Sequence, residues 1–351
     1  MDVLAIGHLP PPTHGQAVAT AHMIRLLRGS RLEVQVCDIA RPAKFGACRK
    51  ILRHIAAAWA IVKTDAPHVY LTVNDHRGMV LTVALALLAT RVGKRLTLHH
   101  HSSRYIDKRY RIADWLACVS GHDTLHLSQS PSLCQRYQSM YPAVRRTLPF
   151  SNVGAVEAMP ARSERTGPLC FGHLGNLSEA KGIADVIATL RRAPGAHLLV
   201  AGPCVDSFAK HAVEAAVHEF GPRFRYIGAA YGADKQRFFN SIDVFLFPSR
   251  YAAETQGIVN LEALAAGVPV VAFDRGRIRR DIGSTGGLVV DLDGDFAAAA
   301  AGFDPKAADA YSRFCTLRAE HEGEQSAVIA AFGGTRPMIA VPLSRALTGP
   351  C

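Results

Sequence analysis

The chain has no long apolar run. None of its 351 residues belongs to a hydrophobic stretch near the ~20 residues that a bilayer-spanning helix needs. It shows no basic leader either. Met1-Asp2-Val3-Leu4-Ala5-Ile6-Gly7 is too short and too little charged for a secretory signal, and reads as a first β-strand. The eight cysteines, at 37, 48, 118, 134, 170, 204, 315 and 351, include no Cys-x-x-Cys pair. That spacing argues against a zinc site or a disulfide framework and for a reducing cytoplasm. Asp291-Leu292-Asp293-Gly294-Asp295 opens like a calcium loop, but a carboxylate is missing from the twelfth position, Gly302. The first half is also poor in acidic residues. Residues 1–150 hold 20 Lys and Arg against 8 Asp and Glu, and the rest holds 20 against 21. All of the +11 excess therefore lies in the first half, which predicts an anionic partner for that half alone.

What is present is an ordinary folding composition, 49% hydrophobic and 20% charged, in a chain long enough for two domains. Short apolar strands alternate with helical stretches, the pattern of parallel α/β sheets. The first series predicts strands at Val3–Ile6, Leu32–Val36, Val69–Val73, Leu96–His99 and Leu116–Val119, with helices at Ala17–Leu27, Arg49–Val62 and Met79–Leu88. The second predicts strands at Leu169–Leu174, Leu198–Ala201, Phe224–Ile227, Val244–Phe247, Val270–Phe273 and Leu288–Val290. Its helices are expected at Ile183–Leu190, Asp206–Glu219, Lys235–Ser241 and Ile258–Ala266. The expected layout is a domain over 1–150, a polar linker over 151–168, a domain over 169–300 and a helical tail over 301–351 that packs back on the first domain.

The most informative segment is Tyr251-Ala252-Ala253-Glu254-Thr255-Gln256-Gly257-Ile258-Val259-Asn260-Leu261-Glu262. It follows the strand Val244–Phe247 and passes through a glycine into a helix. Strand, loop and helix start present free backbone N–H groups and the positive end of a helix dipole to an anion. Glu254 stands before the turn, where it can meet a polyhydroxylated ligand. Glu262 lies further along the helix, on the face that looks back at the site.

This segment, continued by Glu262-Ala263-Leu264-Ala265-Ala266-Gly267-Val268-Pro269-Val270, resembles the donor-site signature of glycosyltransferase family 4. The resemblance implies a GT-B fold, two doubly wound Rossmann-like α/β domains facing a cleft. The first would bind the acceptor and the second a nucleotide-diphospho-sugar. It implies that backbone N–H groups of Gln256, Gly257, Ile258 and Val259 cradle the diphosphate, that Glu254 bonds donor-sugar hydroxyls and that Glu262 holds the ribose. Leu169-Cys170-Phe171-Gly172-His173-Leu174, leading on to Lys181-Gly182, resembles the family's first loop of the second domain, where two basic side chains meet the phosphates. Lys181 fits, while His173 stands where the family has Arg.

After the first strand, the proline-stiffened loop Gly7–Ala17 carries Gly15, which lets a ligand approach the backbone at a helix start. It is not a dinucleotide fingerprint. The family has a glycine loop in the same place. His99-His100-His101 ends a strand, and alternation sends neighbouring side chains to opposite faces, so the three cannot share a metal unless the chain bends. The family often has a histidine here, near the reacting sugar, and His100 is taken for that role. Over 42–63, Lys44, Arg49, Lys50 and Arg53 interleave with Trp59 and aliphatic residues at helical spacing, which suits a helix on anionic lipid.

The expectation is a metal-independent hexosyltransferase without cofactor, retaining if it follows the family. GDP-mannose is the first donor choice. The acceptor would be a polyprenyl-diphosphate-linked glycan in exopolysaccharide or lipopolysaccharide synthesis. Some exopolysaccharide mannosyltransferases of similar type, the xanthan-type enzymes among them, invert. The chain would sit on the inner face of the cell membrane, with no nucleic-acid partner. The alternatives are a non-hydrolysing sugar-nucleotide epimerase and a non-catalytic GT-B sugar- or lipid-binding protein.

Overall fold

The computed structural model describes residues 1–11, 14–40, 47–159 and 165–335, with the backbone alone for 47–50. The first half runs β1 (Val3–Gly7), α1 (Gly15–Gly29), β2 (Val34–Asp38), α2 (Ala47–Lys63), β3 (His68–Thr72), α3 (Met79–Arg91), β4 (Arg95–His99), α4 (Arg104–Asp107), α5 (Arg111–Ser120), β5 (Leu125–Ser128), α6 (Pro131–Met140) and β6 (Arg146–Pro149). The second half continues with β7 (Cys170–Leu174), α7 (Ile183–Arg192), β8 (His197–Ala201), α8 (Ser207–Phe220), β9 (Phe224–Tyr226), α9 (Ala233–Asn240) and β10 (Val244–Phe247). It ends with α10 (Ile258–Ala265), β11 (Val270–Phe273), α11 (Ile278–Ile282), β12 (Gly287–Val290), α12 (Phe296–Ala301) and α13 (Ala310–Ala331).

Each half forms one six-stranded parallel sheet, ordered β2-β1-β3-β4-β5-β6 and β12-β11-β10-β7-β8-β9. Parallel strands covered by helices on both faces need unbroken apolar runs. Val-Leu-Ala-Ile-Gly of β1, Val-Phe-Leu-Phe of β10 and Val-Val-Ala-Phe of β11 supply them, buried along their whole length. The strand order reverses between β1 and β3 and again between β7 and β10. In open sheets of this kind ligands bind outside the carboxyl ends of the strands at such reversals.

Leu116–Val119 is not a strand but the end of α5, where Ala113, Leu116, Ala117 and Ser120 turn inward at helical spacing. The strands it displaced are β5 and β6. The expected linker begins as a buried turn, since Ser151, Asn152 and Val153 are all covered, and 160–164 lie outside the described residues. Helix α13 starts against α10 and ends beside the first sheet. There Val328 and Phe332 join Val3, Met23, Leu27 and Tyr70 in one apolar cluster. The residues after 335 lie outside the described ones.

Candidate functional site

Loops from both reversals open into one cleft of about 660 Å³ between the sheets, a size suited to a small-molecule ligand. The end of β7 brings His173 to it and the β7–α7 loop Lys181, while the β10–α10 loop brings Glu254 and Gly257 and the start of α10 brings Ile258 and Val259. From the first domain come Gly15 at the start of α1, Asp75 after β3 and His101 after β4.

Lys181 is held by its turn. Its N–H bonds Ser178 Oγ at 3.2 Å, and the next residue, Gly182, is left-handed at φ 80°. A Cβ on Gly182 would run into the Pro248 carbonyl, so only glycine lets the loop close on β10. The ammonium forms an ion pair with Glu254 Oε2 and lies 4.9 Å from the centre of the Tyr251 ring. Ser249 donates to the same carboxylate oxygen at 3.2 Å. Helix α10 begins at left-handed Gly257 with no side-chain cap, which leaves its first N–H groups for a ligand. Further along, both oxygens of Glu262 accept from Lys235 Nζ, at 2.8 and 3.0 Å. Among the described residues that line the cleft, Lys181 and Lys235 are the only Lys or Arg.

His173 does not replace the missing arginine as a cation. Burial lowers its pKa to about 4, and nearby Lys181 acts in the same direction, so the ring is neutral at pH 7. With Leu246 O 2.9 Å away, Nδ1 carries the proton and donates. Nε2 is then left as a buried acceptor without a partner, on a ring that lines the cleft.

Two expected site residues need correction. The His100 imidazole turns away from the cleft and lies 3.0 Å from both Tyr105 Oη and His126 Nδ1. Strand β4 ends at His99, and the His100 N–H still bonds Leu127 O, so His100 packs between β5 and α6. Of the three consecutive histidines, the one that lines the cleft is His101. Burial, with His14 and His8 adding to it, lowers its pKa to about 3, and its Nε2 has no partner. Gln256 is fully buried and does not line the cleft. Its Oε1 accepts from the Asn152 N–H and its Nε2 donates to Ser151 Oγ, both at 2.8 Å. Of the expected cradle, Gly257, Ile258 and Val259 line the cleft, while Gln256 ties this loop to the crossing between the sheets.

Sequence reasoning missed three contributors. Ser103 reaches from the first domain to the carbonyls of Ala252 (2.9 Å) and Glu254 (2.7 Å) and pins the β10–α10 loop. Asp75 lines the cleft and also an adjoining pocket of about 510 Å³, with His8, Gln16, Asn74, His76 and Arg77. Lys235 is the third. The signal available for it was a lysine in the first turn of a helix that follows a strand's carboxyl end.

The expected lipid-facing helix is inverted relative to the usual pattern. On α2, Leu52, Ile55 and Trp59 are 61%, 59% and 64% exposed, while Ala57 and Ile61 are buried. Arg53 does not face outward with them; it pairs with Asp38 and bonds the Ala40 carbonyl. Lys44, and the side chains of Arg49 and Lys50, lie outside the described residues. Among the described residues no helix is long and apolar enough to cross a membrane, and no group of three or more His, Cys, Asp or Glu is placed to hold a metal. Asp295 of the acidic loop caps α12 by accepting from the Ala298 N–H.

Residues 168–303 match the family described as glycosyl transferases group 1. Over 138 residues the chain is 33% identical to the glycogen synthase of Mycobacterium tuberculosis strain H37Rv, covering 36% of this chain and 31% of that one. The chain thus matches about a third of the length of that curated relative. Among solved structures, sucrose-phosphate synthase from Thermosynechococcus elongatus superposes with a TM-score of 0.72 at 16% identity, over 95% of this chain and 98% of that one. HepE of Anabaena, in complex with UDP and glucose, superposes with a TM-score of 0.69 at 14% identity, over 95% and 99%. At these identities the likeness shows the fold, and the fold is GT-B.

Proposed function

We propose, with the GT-B fold and the glycosyl transferases group 1 domain of residues 168–303 as premise, that the chain is a glycosyltransferase. It moves a hexose from a nucleotide-diphospho-sugar to a lipid-linked glycan at an anionic membrane surface, in exopolysaccharide or lipopolysaccharide synthesis. One observation carries the reading. The Lys181–Glu254 pair stands beside the uncapped start of α10, in a cleft lined by both domains.

In this mechanism the diphosphate lies on the N–H groups of Gly257, Ile258 and Val259. Lys181 meets the charge that grows on the leaving phosphate, and such preorganised donors supply most of the rate enhancement in reactions of this kind. Glu254 accepts from hydroxyls of the donor sugar and Glu262 from the ribose. His101, neutral, offers a hydrogen bond to the reacting sugar in the place first given to His100. The acceptor enters from the pocket that shares Asp75 with the cleft. Configuration is retained, and no divalent metal takes part. The exposed apolar face of α2, continued by Val80, Leu87 and Trp115 on α3 and α5, supports docking on lipid more directly than the cations do.

A screen of nucleoside-diphosphate release from a panel of nucleotide sugars tests the reading. GDP-mannose is the first arm, and UDP-glucose the second because HepE holds UDP and glucose. Release from one donor, lost in Lys181→Ala, is the expected result. No release and no binding of any member of the panel would overturn it.

A further inference from the structure

We propose that Lys235 is the second phosphate-binding cation of the donor site. It leaves Glu262 for the donor diphosphate when the nucleotide binds, and this inference rests on the reading of the cleft as a nucleotide-sugar site. A nucleoside diphosphate brings at least two negative charges. The uncapped start of α10 offers about half a positive charge, and Lys181 offers one that Glu254 already shares. His173 adds none, because its protonated nitrogen donates to the Leu246 carbonyl and its free nitrogen is an acceptor. Among the described residues, Lys235 is the remaining Lys or Arg on the wall of the cleft.

Its present position shows what it would leave. The ammonium bonds both oxygens of Glu262 and takes up part of their acceptor capacity. A ribose that bonds the same carboxylate draws on the charge that now holds Lys235. Once separated from its carboxylate, a half-buried ammonium needs another anion or the cleft is destabilised. The diphosphate is that anion and arrives with the ribose. The reach is short. Glu262 lies four residues into α10, so about 6 Å along the axis separates it from the helix start, within the swing of a flexible four-carbon stem. The pair then acts as a placeholder that keeps both groups solvated and neutralised until the nucleotide separates them.

The test measures binding of UDP and GDP, and of uridine and guanosine, to the wild type, Lys235→Gln and Lys235→Arg, with thermal unfolding confirming that each variant is folded. Loss of one charge-assisted hydrogen bond typically costs about 10- to 100-fold in affinity. Lys235→Gln should lose that factor for the diphosphate that binds the wild type and change less than about twofold for its nucleoside. Lys235→Arg should keep most of the diphosphate affinity. An equal loss for nucleoside and diphosphate would overturn the proposal and leave Lys235 as a support for Glu262. Unchanged diphosphate affinity in Lys235→Gln would overturn it too, with the nucleotide-sugar reading intact. A wild type that binds neither UDP nor GDP would overturn both.

Discussion

Acidification should destabilise this protein well above the pH at which carboxylates titrate. His22, His126 and His173 are buried, and burial lowers their pKa values to about 3, about 3 and about 4. For His22 the charges of His321, Arg25 and Arg318 act in the same direction. In the unfolded chain each would titrate near 6.5. Below that value the unfolded state takes up protons that the folded state refuses, so stability falls as pH drops towards the folded-state values and is fully present above pH 6.5. Between about pH 7 and about pH 5 each of the three costs about 2 kcal/mol, or about 6 kcal/mol together, as large as the whole stability of a marginal domain. His99 and His100, held well below 6.5 by burial, add in the same sense. For a chain of this length a loss of this size lowers Tm by roughly 8 °C. Circular dichroism melts across that pH range measure it, repeated at raised salt to remove general repulsion from the growing positive charge. His126→Asn removes one titrating group and should lessen the loss by that group's share of about 2 kcal/mol. A Tm that stays constant over the range, or a His126→Asn profile parallel to the wild type, would refute the reasoning.

Lys181→Ala should lower kcat by about 10²–10³ with donor affinity less affected, because Lys181 meets charge that is greatest in the transition state. Glu262→Ala should weaken nucleotide binding. Steady-state kinetics and nucleotide titration separate the two, and wild-type turnover in a folded Lys181→Ala protein would count against the assignment. Transfer should persist in excess chelator, and complete loss restored by added divalent ion would count against it. Vesicle co-sedimentation should fall sharply in Trp59→Ser and Leu52→Ser. Arg53→Glu should act mainly by breaking the Asp38 pair, and an unchanged bound fraction in the apolar variants would leave α2 without a membrane role.

The strands of the second domain were legible because β10 and β11 are short, fully apolar and bounded by Pro248 and by Gly267-Val268-Pro269. Strand β5 was hidden. Leu-His-Leu-Ser is buried on both faces, yet two of its four side chains are polar, so it lacks the unbroken apolar run that marks the other covered strands. The apolar end of α5 just before it drew the assignment instead. The placement of Glu254, Gly257 and Glu262 around one cleft was readable from the β10–α10 segment, but the side chain of Gln256 points to Ser151 and Asn152, about a hundred residues earlier, and no local pattern reports that. The choice among three histidines required the parity of a strand that ends at His99, which depends on its pairing with Leu127 and Thr72. On α2 the interleaved pattern was visible, but which face is covered is decided by α3 and β1.

Helix α13 lies wholly outside the matched span 168–303, yet Ala310, Phe314 and Leu317 cover Leu261 and Leu264 of α10 on the side away from the cleft. A fragment cut at the limits of that span would keep the β10–α10 loop and still uncover the apolar back of the helix that follows it, a surface prone to aggregation. Conversely, the last turns of α13 fill the first domain, so that domain cut at residue 150 would lose Val328 and Phe332 from its own interior. The unit that inheritance passes on and the unit that can stand alone in water therefore have different borders here. Chimaeras that exchange the second sheet among such proteins should carry α13 as a third part, matched to both neighbours.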